Sequence, residues 1–195
     1  MSDFKTRIYD TVARIPKGRV ATYGQIADDF AKDYKGTIAI AIVDGRYQEL
    51  FKKAKDGEKL SFETLYDKAG HKAYKRTACM IMLKAMRDVI GEDKLIKSKV
   101  EFSIGTAYYV SMAGKFDLTD ELISKIQSRM DEIVAANISI KKTSYTVDEA
   151  LKKFEKEPNN NHEKLLKYRL DNKMNLYSID DFEDYYYGHM LPSTG

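Results

Sequence analysis

Apolar residues recur at helical spacing in six separate segments of the chain. In the first segment Phe4, Ile8 and Ile15 share one face behind Ser2, which predicts a capped helix. The same spacing predicts helices over about 24–33, 72–90, 120–136 and 164–170, and a further helix after Thr146 with Leu151 and Phe154 on one side. Residues suited to helix starts precede three of these: Thr22, Thr119 and the capping box of Thr146 and Glu149.

Segments rich in β-branched and aromatic residues separate these helices and predict strands. They are TIAIAIVDG leading into RYQELF, LSFETLY, the hairpin KVEFSIGTAYYVSM, ISIKKTSY and MNLYSI as the last strand. Asp44-Gly45 and Gly105 mark the tight turns of the two hairpins. Hairpins and helices come in blocks without strict strand-helix alternation, so the predicted fold class is α+β.

The composition of the chain indicates which compartments and partners to expect. The 195 residues carry a formal net charge of +3, which allows a nucleic-acid partner but does not by itself favour one. Cys79 is the only cysteine, so no internal disulfide forms and a reducing cytoplasm is expected. No segment reaches the roughly 18 apolar residues that a membrane span requires, so we expect no membrane contact. No G-x-x-x-x-G-K-[ST] motif occurs, which leaves the chain without the phosphate loop of a kinase.

The stretch RIYDTVARIPKGRVATYGQIA, residues 7–27, resembles the start of the DNA-binding domain of alkylguanine alkyltransferases and their alkyltransferase-like relatives. That resemblance implies a helix-turn-helix that enters the minor groove, with Tyr23 helping to rotate the target base. The family's recognition helix and its Pro-Cys-His-Arg nucleophile motif are missing. We expect Cys79 to be a small buried hydrophobic residue, since no histidine stands beside it to lower the pKa of its thiol.

A second resemblance covers the chain from about residue 22 to its end. The segments TYGQIADDFAKDYKGTIAIAIVDG and KAYKRTACMIMLKAM, then FDLTDELISKIQSRMDEIVAANISIKK and DFEDYYYGHMLPSTG, resemble a TGS domain followed by the second additional domain of threonyl-tRNA synthetases. LLKYRLDNKMNLYSIDDFEDYYYG is most similar to the version at the N-terminus of uridine kinase-like proteins.

This resemblance implies a domain organisation. Residues 1–21 are an extra N-terminal helix and turn, 22–70 a β-grasp-like TGS domain, and 71–195 an α+β region like the synthetase editing domain. Because the resemblance breaks off at Gly195, we expect that region to be truncated at its C-terminal end. A kinase domain would follow in the parent protein.

In the synthetases the second domain removes wrongly attached serine from tRNA with a His-x-x-x-His pair on its long helix and a Cys and His near its C-terminal loop. Residues four apart share a helix face, so the two imidazoles can converge on one metal site. Four substitutions remove these ligands here: Met80 and Lys84 replace the histidines, and Tyr186 and Met190 replace the later pair. His189 lies one residue before the expected position, and we expect it to be hydrogen-bonded locally in its loop.

The substitutions favour a pocket filled with apolar bulk, and a remodelled ligand pocket is the alternative. We expect Lys84 to be solvated, with a bound phosphate or carboxylate as the alternative. Basic and aromatic residues could grip phosphates and stack on bases, although charged turns have the same composition. The residues that could bind a ligand are Lys84, Tyr186, His189, Arg46, Lys52, Lys53, Tyr74 and Arg76. LPSTG matches a surface-sorting motif, but no hydrophobic span or basic tail follows it.

The second resemblance therefore implies a non-catalytic N-terminal module of a uridine kinase-like protein, and the composition predicts a cytoplasmic location. The module would bind RNA or a nucleotide-type ligand, or regulate the kinase, without a cofactor or metal. Two alternatives stay open: alkyltransferase-like binding of DNA lesions through residues 7–33, and residual hydrolysis of aminoacyl-tRNA.

Overall fold

The computed structural model describes residues 21–154 and 173–195. The predicted first helix and the predicted helix over 164–170 lie outside these residues. In the described part, four helices of at least eight residues and eight strands form two compact units. Unit 1 holds residues 21–77 and 187–192, and unit 2 holds 78–186 and 193–195. The division falls at Thr77, whereas the resemblance places a domain boundary at residue 70.

Unit 1 packs one helix against a three-stranded sheet. Its elements are α1 (Tyr23–Phe30), a 3-10 turn (Ala31–Asp33), β1 (Ile38–Val43), β2 (Arg46–Gln48), β3 (Leu60–Thr64) and the first part of α2 (Lys68–Ile90). The sheet order is β2-β1-β3, and both pairs are antiparallel. Local interactions explain where α1 begins and where the chain turns between β1 and β2. Thr22 and Gln25 form the capping box of α1, and Asp44 and Gly45 take positive φ angles of 48° and 78° at the β1–β2 turn.

The core of unit 1 comes from the periodic apolar positions of α1 and the sheet. Ile26 and Phe30 on α1 are 2% exposed, and they pack with Val43, Leu60 and Phe62. Tyr23 belongs to this core. It is 4% exposed, and its hydroxyl donates a hydrogen bond of 2.8 Å to Oε2 of Glu58. Burial and this carboxylate raise the pKa of Tyr23 well above its usual range. In this structure the Tyr23 side chain is thus part of the core and is hydrogen-bonded to Glu58.

Unit 2 contains the remainder of α2, then β4 (Leu95–Ile104), β5 (Ala107–Gly114), α3 (Asp120–Ala135), β6 (Lys141–Thr146), α4 (Val147–Phe154), β7 (Lys173–Ile179) and β8 (Phe182–Tyr185). β4 and β5 form a separate antiparallel hairpin, and β6-β7-β8 is a second three-stranded sheet. Ala150 on α4 packs on Met174 and Leu176 of β7. The sequence predicts MNLYSI as the last strand, and this prediction is wrong. A further strand, β8, follows it and pairs with it from Ile179–Phe182 to Leu176–Tyr185.

The mixture of helices and small antiparallel sheets agrees with the predicted α+β class. The β-grasp and editing-domain assignments stay predictions. No helix in the described residues is long and apolar enough to cross a membrane.

The C-terminal residues Ser193–Gly195 are built into unit 2. Thr194 is 6% exposed, and its hydroxyl accepts from the Ile138 N–H at 2.8 Å and donates to the Ile133 carbonyl at 2.7 Å. Ile133 lies in the last turn of α3, so the threonine satisfies a carbonyl that the helix leaves unpaired.

Thr194→Val keeps the side-chain shape and removes both hydrogen bonds. We expect the free energy of unfolding, measured in urea, to fall by about 1–3 kcal/mol, because a buried N–H and a buried carbonyl lose their partner. Thr194→Ser keeps the hydroxyl and is the matched control. Equal stability of the valine variant and the wild type would contradict this role.

Candidate functional site

The long helix α2 carries the first two candidate positions. Met80 and Lys84 are one helical turn apart and face the same side, as their spacing predicts. Met80 is 0% exposed and Lys84 is 3% exposed. Met80 therefore fills a core position, which agrees with the predicted apolar filling.

The sequence analysis expects Lys84 to be solvated, but its side chain is buried. Its Nζ donates to Oδ1 of Asp181 at 2.8 Å and to Oδ1 of Asp88 at 3.2 Å. Asp88 stands one turn further along α2, and Asp181 lies in the β7–β8 turn. The ammonium group lowers the pKa of the Asp181 carboxyl below its ordinary value by hydrogen bonding and charge. Two carboxylates thus already neutralise the cation that was a candidate for binding phosphate.

The ion-pair network continues to α3 through Arg129. Its Nε donates to the second oxygen of Asp88 at 2.9 Å, and Nη1 donates to Glu132 at 2.7 Å. These hydrogen bonds raise the pKa of the guanidinium above its already high value. An open groove of about 410 Å³ beside Arg129 is lined by Val89, Glu121, Ser124, Lys125, Ser128, Arg129 and Glu132. Its charged groups largely pair with one another, since Lys125 also contacts Glu121 at 2.6 Å.

Tyr186 lies in the same unit, with a half-buried side chain and a hydroxyl oxygen shielded from solvent. Burial raises the pKa of this phenol well above its ordinary value, and the nearby Asp184 carboxylate and Cys79 raise it further. The phenol therefore stays protonated at neutral pH. Cys79 itself is half-buried, which corrects the expectation of a buried small hydrophobic residue.

Unit 1 contains the C-terminal candidates His189 and Met190. Nδ1 of His189 lies 3.3 Å from Oε1 of Glu49, a fully buried carboxylate, and its ring lies 6.4 Å from that of Tyr47. The histidine contacts residues distant in sequence, so the expected local hydrogen bonding is wrong. Met190 is 0% exposed.

Arg76 and Lys52 belong to the same cluster around Glu49 and His189. Arg76 Nη1 donates to the His189 carbonyl at 3.2 Å, and Lys52 Nζ is 3.4 Å from Oε2 of Glu49. Gly188 has φ of +125°, and a Cβ there would stand 2.5 Å from the guanidinium carbon of Arg76. The backbone at Gly188 and His189 therefore packs directly against the Arg76 guanidinium, which holds this segment in place.

Three of the predicted ligand-binding residues are exposed in unit 1, namely Arg46, Lys53 and Tyr74. The ring of Tyr74 stacks on that of His71 with centroids 6.3 Å apart. The candidate ligand-binding residues thus fall into four groups: Lys84 in its buried network, Tyr186 near Cys79 and Asp184, a cluster around Glu49, and exposed basic and aromatic side chains. Glu49, Asp88, Asp181 and Arg129 escaped the sequence analysis.

None of the side chains at the four editing positions is of a type that commonly binds zinc in proteins. Met80 and Met190 offer thioethers in apolar surroundings, Tyr186 offers a protonated phenol, and Lys84 offers a cation. Zinc in proteins takes thiolate, imidazole or carboxylate ligands. Within residues 21–154 and 173–195, no three histidine, cysteine, aspartate or glutamate side chains are placed to share a metal.

Comparison with known proteins gives one consistent class of relatives. The chain is 31% identical over 156 residues to the threonine–tRNA ligase of Clostridium kluyveri, which covers 80% of this chain and 24% of that protein. It is 27% identical over 185 residues to the Clostridium novyi enzyme, covering 94% of this chain and 28% of the enzyme. The Thermotoga petrophila enzyme is 26% identical over 193 residues, covering 93% of this chain and 29% of the enzyme.

The similarity is to the N-terminal region of these ligases, and the chain spans about a quarter of the length of the curated relatives it matches. No family model matches the chain. These relatives do not show the uridine kinase-like context or the alkyltransferase resemblance.

Proposed function

We propose that this chain is a non-catalytic RNA-binding module derived from the N-terminal region of a threonine–tRNA ligase, with tRNA as its ligand class. The observation that carries the proposal is the state of α2. Met80 is packed into the core, and the Lys84 ammonium is held by two aspartates, at the two positions where the resemblance implies metal-binding histidines. The similarity to tRNA-charging enzymes supports a retained RNA partner.

Hydrolysis of an aminoacyl ester needs a nucleophilic water and a group that deprotonates it. Lys84 is not available as a base, because its Nζ donates hydrogen bonds to the carboxylates of Asp88 and Asp181. Its positive charge repels a divalent cation that would activate water. Tyr186 is kept protonated by burial and by Asp184, so it cannot serve as a base at neutral pH.

We also propose that the parent protein carries a uridine kinase-like domain and that this module regulates it. This proposal rests on the resemblance of LLKYRLDNKMNLYSIDDFEDYYYG, part of which lies outside the described residues. It makes a nucleotide such as UTP the competing ligand.

A binding comparison tests the proposal. Fluorescence anisotropy would use labelled uncharged tRNA, with UTP, UMP and an alkylguanine-containing DNA duplex in parallel. We expect saturable tRNA binding that weakens as salt rises, because lysine and arginine contacts release counterions from phosphates. Binding of UTP without tRNA would favour the nucleotide alternative, and binding of the duplex alone would favour lesion recognition.

Charge-removing variants locate the contribution of the exposed basic residues. Arg46→Ser with Lys53→Ser removes two exposed charges at predicted ligand positions, and Lys32→Ser with Lys35→Ser removes two exposed charges elsewhere in the same unit. The slope of the logarithm of the tRNA-binding constant against the logarithm of salt concentration measures the salt dependence. We expect the first pair to make this slope less steep by about 0.7–0.9 for each phosphate contact that is lost. Equal effects of both pairs would contradict a local role for Arg46 and Lys53.

A further inference from the structure

The β4–β5 hairpin is a long two-stranded sheet whose outer half, residues 101–109, is exposed to solvent. β4 has ten residues and β5 has eight, and within the described residues neither strand pairs with a third. The register pairs Ile104 with Ala107, Phe102 with Tyr109, Lys99 with Ser111 and Lys97 with Ala113. Directly paired residues and every second residue along β5 point to the same side, so these eight side chains share one face.

Aromatic side chains form the outer part of this face. Phe102 is 56% exposed and Tyr109 is 51% exposed, and their rings stack with centroids 5.1 Å apart and an interplanar angle of 18°. Ile104, at 61% exposed, extends the apolar surface to the turn at Gly105. More than half of each aromatic side chain is open to solvent. Apolar surface exposed in this way is typical of an interaction site.

The hairpin as a whole carries an excess of positive charge. Residues 94–115 carry four lysines and one glutamate, a net charge of +3, while the other 173 residues carry 29 basic and 29 acidic side chains. The formal net charge of the whole chain thus equals that of the hairpin. Glu101 pairs with Lys99 at 2.6 Å and accepts from Ser111 at 2.8 Å, which leaves Lys94, Lys97 and Lys115 as the excess charge.

The pair Lys97–Ala113 lies about 13 Å along β5 from the Phe102–Tyr109 pair, at about 3.3 Å per residue. Stackable rings and lysines at such a spacing match the bases and phosphates of a single nucleic-acid strand. A duplex fits less well, because its base faces are already stacked inside the helix. The excess positive charge favours this polyanion over an apolar protein partner.

We propose that this face of the β4–β5 hairpin binds single-stranded RNA, with bases stacked on Phe102 and Tyr109 and phosphates held by the hairpin lysines. The inference rests on the proposed RNA-binding function and assigns part of it to a surface that holds none of the editing positions. A single-stranded end or loop of a tRNA has the required chemistry.

The test is anisotropy with a labelled single-stranded RNA of about ten nucleotides, the length range of such sites. Phe102→Ala with Tyr109→Ala is expected to weaken binding by about 30-fold or more, since two bases lose the rings on which they stack. Phe102→Tyr with Tyr109→Phe keeps both rings and is expected to keep affinity. Tyr66→Ala with Tyr187→Ala removes two rings that are 84% and 83% exposed outside the hairpin and is the matched control. Thermal unfolding would check that every variant is folded.

The outcomes separate this inference from the proposed function. Binding of tRNA with no binding of the oligonucleotide, or unchanged affinity in the Phe102/Tyr109 alanine variant, would overturn the hairpin site and leave the proposed function standing. Absence of binding to both RNAs would overturn both. Equal affinity for the oligonucleotide and for its duplex would overturn the stacking role. A DNA strand of the same sequence bound more tightly than the RNA would overturn the assignment to RNA.

Discussion

Met80→Ala is expected to lower the free energy of unfolding by about 2–5 kcal/mol, measured by urea denaturation. Met80 is 0% exposed, so the substitution removes three buried heavy atoms and leaves a cavity that the surrounding core fills only in part. Alanine favours the helix at least as well as methionine does, so α2 itself is not weakened. The whole loss would therefore report packing at the first editing position.

Met82→Ala is the matched control, since Met82 is only half-buried on the same helix. We expect a loss of about 1 kcal/mol or less there. If the two alanine variants were equally stable, Met80 would not be a core residue, and a ligand pocket at this position would be the better interpretation.

The second large effect is an asymmetry between the two sides of the Lys84 ion pairs. Asp88→Asn with Asp181→Asn is expected to destabilise the protein by about 3 kcal/mol, because it leaves the Lys84 ammonium buried without a counter-charge. Lys84→Met is expected to change stability by less than about 1 kcal/mol. Its apolar side chain suits the buried position, Asp88 keeps Arg129, and the Asp181 side chain is 77% exposed.

Combining the three substitutions is expected to restore stability close to that of Lys84→Met alone, because no buried charge then remains. A larger loss in Lys84→Met than in the double asparagine variant would contradict this interpretation.

The loss of folding stability at low pH is a second measure of the same ion pairs. The folded protein holds the pKa of Asp181 below its ordinary 3.8, so this contribution to stability is present above pH 3.8 and is lost as the pH falls through the lower folded value. Lys84→Met should therefore lose less stability on acidification than the wild type. Urea midpoints measured between neutral pH and the acid limit would check this.

Elements fixed by local chemistry could be predicted from the sequence. Thr22, Thr119 and Thr146 each accept a hydrogen bond from a backbone N–H three residues later, and the turn at Asp44-Gly45 needs positive φ at both positions. These interactions join residues close in sequence, so the pattern displays both partners.

Elements that depend on distant partners were misplaced. Helix α2 begins at Lys68, four residues before the predicted Lys72, because Glu63 on β3 accepts a hydrogen bond from the Ala69 N–H at its first turn. β8 was missed because its acidic residues disfavour strands. In the structure, Lys153 and Tyr145 satisfy the Glu183 carboxylate, which removes part of that penalty.

The same distinction holds for the candidate site. Helical periodicity placed Met80 and Lys84 on one face of α2 correctly, since a spacing of four residues is visible in the sequence. The partner of Lys84 on the β7–β8 turn is 97 residues away, and no local pattern indicates it. Glu49 was overlooked for a related reason, because a charged residue next to a short strand is normally solvated.

On the proposed function, the chain binds tRNA without hydrolysing the aminoacyl ester. The most direct measurement is the release of serine from radiolabelled seryl-tRNA of the threonine acceptor, followed in the presence of enough protein to bind it all. We predict that the tRNA is bound while serine is released only at the spontaneous rate. Faster release that scales with protein concentration and persists in independently purified preparations would contradict the claim.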